Sequence, residues 1–379
     1  MTRPPTAIDL FCGAGGLSEG FRQAGFSVLA GNDLFAAAGI TFAATHPEAK
    51  FFGEPIQQIS AERMLAETGL RRGELTCLVG GPPCQAFSVY NHQRGMHDAR
   101  ASLFREYLRL VKGLHPDWVV MENVTGILSA GDGEAVEAIV SSLNALGYVV
   151  EYRTLKAEEY GVPQERRRVV FLGNRIGAPI VWPQPTHGEG LLPYVNVWDA
   201  IGDLPRLENG EAPEGAQKYR FVPFSLYQRM LRGSARFVTN HHASRLAPVN
   251  EQRMRHIPEG GSWRDIPHEL LPAGMKKARR CDHTKRYGRL RKDGLSSTVL
   301  TKCDIHWGAY VHPEQDRSIT VREAARLQSF PDWFEFAGSR TEQYVQVGNA
   351  VPPLLGRKIG EAMLEAMDLA DRCELAAAE

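Results

Sequence analysis

The chain has 379 residues, 43% of them apolar, with 44 Lys plus Arg balanced by 44 Asp plus Glu and with six cysteines. That length predicts about two domains, and the apolar fraction excludes collagen-like, low-complexity and wholly disordered classes. A formal net charge of zero excludes a nucleic-acid partner only if the charge is spread evenly, because a neutral total can hide a basic lobe and an acidic one.

The N-terminal Met1-Thr2-Arg3-Pro4-Pro5 runs straight into a strand-like segment and does not read as a signal peptide. No stretch approaches the roughly 20 apolar residues that span a bilayer. Cys12, Cys77, Cys84, Cys281, Cys303 and Cys373 are scattered, which predicts reduced thiols in a cytosolic protein.

The first 175 or so residues alternate strand and helix signals. Strands are expected at Ala7–Phe11, Ser27–Asn32, Leu75–Val79, Asp117–Met121, Val149–Thr154 and Val169–Leu172. Helices are expected at Leu17–Ala24, Leu34–Thr45, Leu103–Lys112 and Glu134–Leu146. Such alternation predicts an α/β fold with a mainly parallel sheet, whose ligands bind at the carboxyl ends of the strands. From about Pro179 prolines and glycines break any sustained period, which predicts a smaller irregular domain. Thr320-Val321-Arg322-Glu323 fits a capping box opening a helix to Gln328. A last helix is expected over Leu354–Ala370, with Ala376–Glu379 as a frayed tail.

Four clusters stand at strand ends. In Asp9-Leu10-Phe11-Cys12-Gly13-Ala14-Gly15-Gly16 the glycines suit either a tight strand-to-helix turn or a cradle approached closely by a ligand. Asp33 closes the next strand, about 20 residues on, where an acid typically meets ribose hydroxyls. The glycine spacing is neither G-x-G-x-x-G nor a P-loop, which favours a nucleoside without phosphates, such as S-adenosylmethionine. Gly80-Gly81-Pro82-Pro83-Cys84 fixes the backbone beyond a strand end and presents a thiol as a nucleophile; a structural cysteine would more often sit inside a strand or helix as a small buried apolar group, a description that Cys77 fits. Glu122-Asn123-Val124 ends an apolar strand, where desolvation raises a carboxyl group's pKa toward the acid/base range; the alternative is a bystander beside a capping Asn123. Gln164-Glu165-Arg166-Arg167-Arg168 could be a solvated face, but strand alternation would send Arg166 and Arg168 to one side.

Together these blocks, with Gln346-Val347-Gly348-Asn349-Ala350-Val351, closely resemble the DNA (cytosine-5) methyltransferases of prokaryotic type, in order and spacing, outside roughly residues 180–285. The resemblance implies a Rossmann-like S-adenosylmethionine methyltransferase sheet with a target-recognition domain inserted: catalytic parts at 1–180 and 311–379, insertion at 181–310. It implies methyl transfer to carbon 5 of a flipped-out cytosine in a specific duplex sequence. Cys84 would add to carbon 6, Glu122 would hold ring N3 and the exocyclic amine, and Arg168 with Arg166 would neutralise the base and phosphate environment. For the cofactor it nominates Phe11, Gly13, Gly16, Asp33, Glu54, Pro83, Leu103, Asn349 and Val351. Two departures stand out: Asp33 replaces the usual Glu, and Gly53-Glu54-Pro55-Ile56 replaces Gly-Asp-Ile, which leaves the adenine contacts least defined.

Within the insertion, Lys276, Lys277, Arg279, Arg280, Lys285, Arg286, Arg289, Arg291 and Lys292 face only Asp282 and Asp293. A solvated loop is the plain explanation. Phosphate contacts from Lys276, Lys277, Arg279, Arg280, Arg289 and Arg291, with some arginines reaching guanine edges, fit better. Gln85 and Ser88 are expected to touch DNA as well. Cys281-x-His283 and Cys303-x-x-His306 have poor spacing for zinc, so no metal is expected. The implied partners are duplex DNA and a separately acting restriction endonuclease, for a cytoplasmic, nucleoid-associated monomer. The same chemistry on tRNA, or a silent DNA-binding regulator of this fold, are the rivals. Residues 181–310 hold 20 Lys plus Arg and 13 Asp plus Glu, against 24 and 31 elsewhere; the neutral total is a cancellation.

Overall fold

The computed structural model describes residues 4–83 and 101–378, with the side chains of all but 101–102 and 374–378. The chain divides into two compact units: unit 1 takes in 1–157, 167–185 and 351–379, and unit 2 takes in 158–166 and 186–350. Among the described residues no helix is long and apolar enough to cross a membrane.

Unit 1 is a seven-stranded sheet of β1 (Thr6–Leu10), β2 (Ser27–Asn32), β3 (Lys50–Phe52), β4 (Cys77–Gly80), β5 (Trp118–Asn123), β6 (Val149–Lys156) and β7 (Arg167–Asn174), in the order β3-β2-β1-β4-β5-β7-β6. The first five strands pair in parallel, and β7 runs antiparallel to both neighbours. The expected α/β architecture is present. β4 is buried throughout, as a strand covered on both faces must be. Helices α1 (Gly16–Ala24), α2 (Ala36–Thr45), α3 (Ala61–Thr68), α4 (Ala101–Leu114) and α5 (Glu134–Ala145) connect the strands. β3 and α3 were not expected. The core contains Ile8, Leu10, Leu78, Tyr107, Leu110, Val119, Met121 and Phe171. Tyr107 satisfies its buried hydroxyl by donating towards the carbonyls of Leu78 and Val120 at 3.3 Å.

Unit 2 holds α6 (Val197–Ile201), β8 (Gln217–Lys218), α7 (Leu226–Arg232), β9 (Phe237–Val238), α8 (Pro248–Arg255), α9 (Val321–Leu327) and α10 (Arg340–Asn349). The expected Thr320/Glu323 capping box opens α9, which closes at Leu327. Unit 2 runs past residue 310 to Ala350, and within it a buried ionic network joins α9 to Asp203 and Asp332. Arg326 bonds Asp332 and Asp203, Arg317 bonds Glu323, and all of these side chains are at most 1% exposed. A separate small core forms from Met254, Ile257, Trp263, Ile266, Met275, Tyr287, Ile305 and Val311.

The chain returns to unit 1 as α11 (Pro353–Ala378), which runs eight residues past its expected end and stays helical to Ala378, into the tail expected to fray. It packs on α1 at backbone contact: a Cβ on Gly20 would lie 2.5 Å from the Pro353 carbonyl oxygen and 2.6 Å from the Arg357 nitrogen. Only glycine permits that approach.

Candidate functional site

In unit 1 the parallel register brings the ends of β1 to β5 to one edge of the sheet: Leu10 is level with Asn32 and Gly80, and Gly80 with Met121. The turn after β1 leaves with positive φ at Phe11 (59°), Gly13 (54°) and Gly15 (93°). At Gly15 a Cβ would also meet the His46 ring at 2.8 Å, while at Gly13 it would meet nothing within 4 Å. Gly13 therefore borders open space. Its backbone N–H donates to Asp33 Oδ2 at 2.8 Å, and that of Phe35 donates to Oδ1 at 2.8 Å. Burial pushes the Asp33 carboxyl up, against the lowering effect of those two donors.

Asn32 pins the next strand end by donating to the carbonyls of Phe52 (2.8 Å) and Glu54 (3.1 Å). The Glu54 carboxylate is already ion-paired with Arg63. Phe11 and Leu103 are half-buried against the main core, Gly16 and Val351 are buried, and Pro83 is exposed. Asn349 is exposed at the end of α10 and belongs to unit 2.

The ends of β4 and β5 lie together. A Cβ on Gly81 would stand 3.1 Å from Glu122 Oε2, and the Pro82 carbonyl accepts a 3.0 Å hydrogen bond from Asn123 Nδ2. Asn123 thus anchors the loop beside Glu122. From β7, Arg168 forms an ion pair with Glu122 in which both side chains are 13% exposed. Cys84, Gln85 and Ser88 lie outside the described residues.

Two residues the sequence analysis gave no role belong to this edge. Asp9 is 1% exposed and accepts a 2.6 Å hydrogen bond from Ser18, which ties the β1 end to α1 across the glycine turn. Its pKa is pushed up to about 7, first by burial and further by the charges of Asp33 and Glu122. A charged residue inside the apolar strand Ala7-Ile8-Asp9-Leu10 was the available signal. Leu34, next to Asp33, is 63% exposed; one exposed leucine in a sequence carries no such signal.

Arg166 corrects an expectation. β7 begins at Arg167, so alternation does not reach Arg166, and the two arginines do different work. Arg166 is buried in unit 2 and donates to the carbonyls of Val299 (3.2 Å), Gly348 (3.1 Å) and Ala350 (2.7 Å). Beside it Gln164 accepts from the Val299 N–H and donates to the Leu327 carbonyl. Four segments that are apart in the chain, around residues 165, 299, 327 and 349, are thereby fastened together inside unit 2.

Arg289 is a second correction. It is 8% exposed, and its guanidinium donates to the carbonyls of Met254, Ile257, His312 and Gln315 and to Asp316. Its donors are consumed within the unit, so it is withdrawn from the DNA-contact set. Lys276, Lys277, Arg279, Arg280 and Arg291 are exposed. Arg279 pairs with Asp282 and Arg291 with Asp293 at the surface. Such exposed, solvent-screened pairs contribute little and leave the arginines able to exchange their partners for phosphate.

Comparison with known proteins bears on the whole chain. Residues 6–365 match the family model described as C-5 cytosine-specific DNA methylase. The type II methyltransferase M.AgeI of Thalassovita gelatinovora is 36% identical, over 94% of this chain and 98% of its own. M1.HphI of Haemophilus parahaemolyticus, also a type II methyltransferase, is 35% identical over 95% of this chain and 87% of its own. Among solved structures, a proposed DNA modification methyltransferase encoded within an E. coli prophage superposes with a TM-score of 0.78 at 25% identity, covering 96% of this chain and 99% of that one.

Proposed function

Because the chain belongs to the C-5 cytosine-specific DNA methylase family, and so is a DNA cytosine-5 methyltransferase, we propose that it acts on a cytosine flipped out of a specific duplex sequence through a covalent adduct with Cys84. The observation that carries this reading is the meeting of Glu122, Arg168 and the Gly81-Pro82 segment, two residues before Cys84 in the sequence, at the ends of β4, β5 and β7.

The cofactor implied by the family and the fold is S-adenosylmethionine, and the residues present fit it. With two N–H donors bound, the Asp33 carboxylate keeps lone pairs for a ribose diol. The turn from Phe11 to Gly16 has no Lys or Arg to meet a phosphate. Asp33 and Glu122 both act electrostatically on Asp9 at this edge, an accumulation of acids that suits a cationic ligand. When bound, the cofactor supplies an electrophilic methyl group on a sulfonium sulfur. Phe11, Gly13, Gly16, Pro83, Leu103 and Val351 of unit 1 would complete its pocket, with Glu54 near the adenine.

Carbon 5 of cytosine is a weak nucleophile while the ring is intact. The Cys84 thiolate adds to carbon 6, forming a C–S bond and moving the ring electrons toward carbon 5. Glu122 hydrogen-bonds ring N3 and the exocyclic amine, which fixes the base and stabilises the shifted charge. Arg168 orients that carboxyl group and adds positive charge beside it. After carbon 5 takes the methyl group, loss of its proton lets the Cys84 sulfur leave by β-elimination. A stacked base admits none of this, so the cytosine must leave the duplex, at about a few kcal/mol.

A duplex containing 5-fluorocytosine tests the scheme, since carbon 5 then has no proton to lose. With S-adenosylmethionine, a complex that survives a denaturing gel is expected from the native chain and not from Cys84→Ser. No adduct, or an adduct with Cys84→Ser, refutes it. Label from the cofactor appearing in tRNA and not in duplex DNA would move the substrate to RNA. By extension from the type II relatives, the chain works as a cytoplasmic monomer beside a separate endonuclease that its methylation protects against.

A further inference from the structure

We propose that Arg286, braced on the face of Trp307, reads a base edge of the target duplex from a cleft in unit 2. The inference rests on the reading that this chain modifies duplex DNA, and it goes further by assigning a specificity-determining side chain.

The cleft has a volume of about 390 Å³ and is lined by Met275, Lys277, His283, Arg286, His306 and Trp307, among others. Its walls are fixed. Met275 and Tyr287 are buried in the small core of the unit. His306 packs edge-on against Tyr287 at 5.0 Å, with its Nδ1 2.6 Å from Asp304 Oδ1. Trp263 Nε1 donates to the His283 carbonyl at 3.1 Å. On this rigid base Trp307 stands 64% exposed, with the Arg286 guanidinium 5.0 Å from its ring centroid.

What singles out Arg286 is the state of its donors. In the basic tract, Arg279 is paired with Asp282, Arg280 donates to the Arg264 carbonyl, Arg289 is consumed internally and Arg291 is paired with Asp293. Among the described residues, Arg286 is the arginine of this tract whose guanidinium has an aromatic face and no carboxylate or carbonyl acceptor. The acids near it are engaged, Asp282 by Arg279 and Asp304 by His306. A guanidinium stacked on a ring keeps its in-plane N–H fork available and has already lost much of its rotamer freedom.

A planar, pre-oriented double donor matches a planar double acceptor. In a DNA major groove that acceptor is the O6/N7 edge of guanine. Phosphates, which need charge more than geometry, are served by the exposed Lys276 and Lys277.

The test is methylation by the full chain of a plasmid library with randomised sequence, scored by bisulfite sequencing, for the native protein, Arg286→Gln, Trp307→Ala, Trp307→Phe and Lys277→Ala. Native methylation at a defined site establishes the DNA reading first; its absence would remove that reading, not this assignment alone. Given that site, Arg286→Gln is expected to lose roughly 5- to 150-fold discrimination at one guanine position and to keep the others. Trp307→Ala should relax the same position, Trp307→Phe should restore it, and Lys277→Ala should lower methylation of all sites alike. For a variant without turnover, anisotropy of the target duplex and of singly substituted duplexes reads the same discrimination. Unchanged preference at every position in Arg286→Gln, or an equal loss of affinity for all duplexes, overturns the proposal.

Discussion

Replacing Arg326 by methionine removes the centre of the buried ionic network while keeping most of the side-chain volume. Its Nε and Nη2 donate to the two oxygens of Asp332 at 2.9 and 2.6 Å, and Nη1 reaches Asp203 and the Ala200 carbonyl. Asp332 is held at about 2 against an ordinary 3.8: burial pushes it up, and Arg326, with help from Arg322 and Tyr219, more than offsets that. The difference corresponds to roughly 2 kcal/mol for that carboxylate alone. Breaking a buried pair costs about 3–5 kcal/mol in general. Arg322, 3.9 Å away, and the Tyr219 hydroxyl remain beside Asp332, so about 3 kcal/mol is expected. That is a large part of the roughly 5–15 kcal/mol by which a domain is stable.

The pH dependence supplies the sharper criterion. In the native chain the low carboxyl pKa contributes stability that is present above about 3.8 and lost as the pH falls through 2. Without Arg326, burial dominates, the folded-state pKa rises above 3.8, and stability is lost as the pH climbs past 4. Urea unfolding followed by tryptophan fluorescence should show the midpoint lowered by on the order of 1–2 M, and lowered more at pH 8 than at pH 5. A shift below about 0.3 M, or a larger loss at pH 5, would refute the reasoning.

Asp9→Asn tests the opposite sign. With a folded pKa raised to about 7, the native carboxyl contributes stability below about pH 4 that fades as the pH rises through 7, so the variant's thermal midpoint should gain on the native one between pH 4 and pH 8; a constant difference would contradict this. Asp33→Ala should weaken S-adenosylmethionine binding about tenfold or more in equilibrium dialysis, since it removes both the proposed ribose contact and the acceptor for the Gly13 N–H; a change under twofold would exclude Asp33 from the pocket. Glu122→Gln, nearly isosteric, should lower single-turnover methylation by about 10²–10⁴-fold while cofactor binding stays within twofold; full activity would remove Glu122 from the chemistry.

Much of unit 1 was legible because its signals are local. β2 matches its expected bounds at both ends, and the other expected strands and helices of this unit lie within a few residues of theirs, except that α11 runs eight residues past its expected end. Helix α10 carries a local signal of the same kind, the Ser339/Glu342 capping box. The role of Arg166 was not readable. Three arginines in a row look alike in sequence, and what separates them is which finds carbonyls from residues 130 or more positions away. Arg289 and Arg286 differ for the same reason: five acceptors converge on one and a tryptophan face on the other.

The contact between α1 and α11 also sets an order of events during synthesis. α1 carries the glycine turn, yet the surface that clamps it, from Pro353 onward, leaves the ribosome only after all of unit 2 has been made. Unit 2 can close while still tethered, whereas the Gly20 face of α1 must wait, exposed, for the last helix. A released chain truncated before residue 353 would therefore hold a finished unit 2 and an unfinished unit 1. Joining the α11 segment ahead of β1 by circular permutation should shorten that wait and speed the appearance of a protease-resistant unit 1.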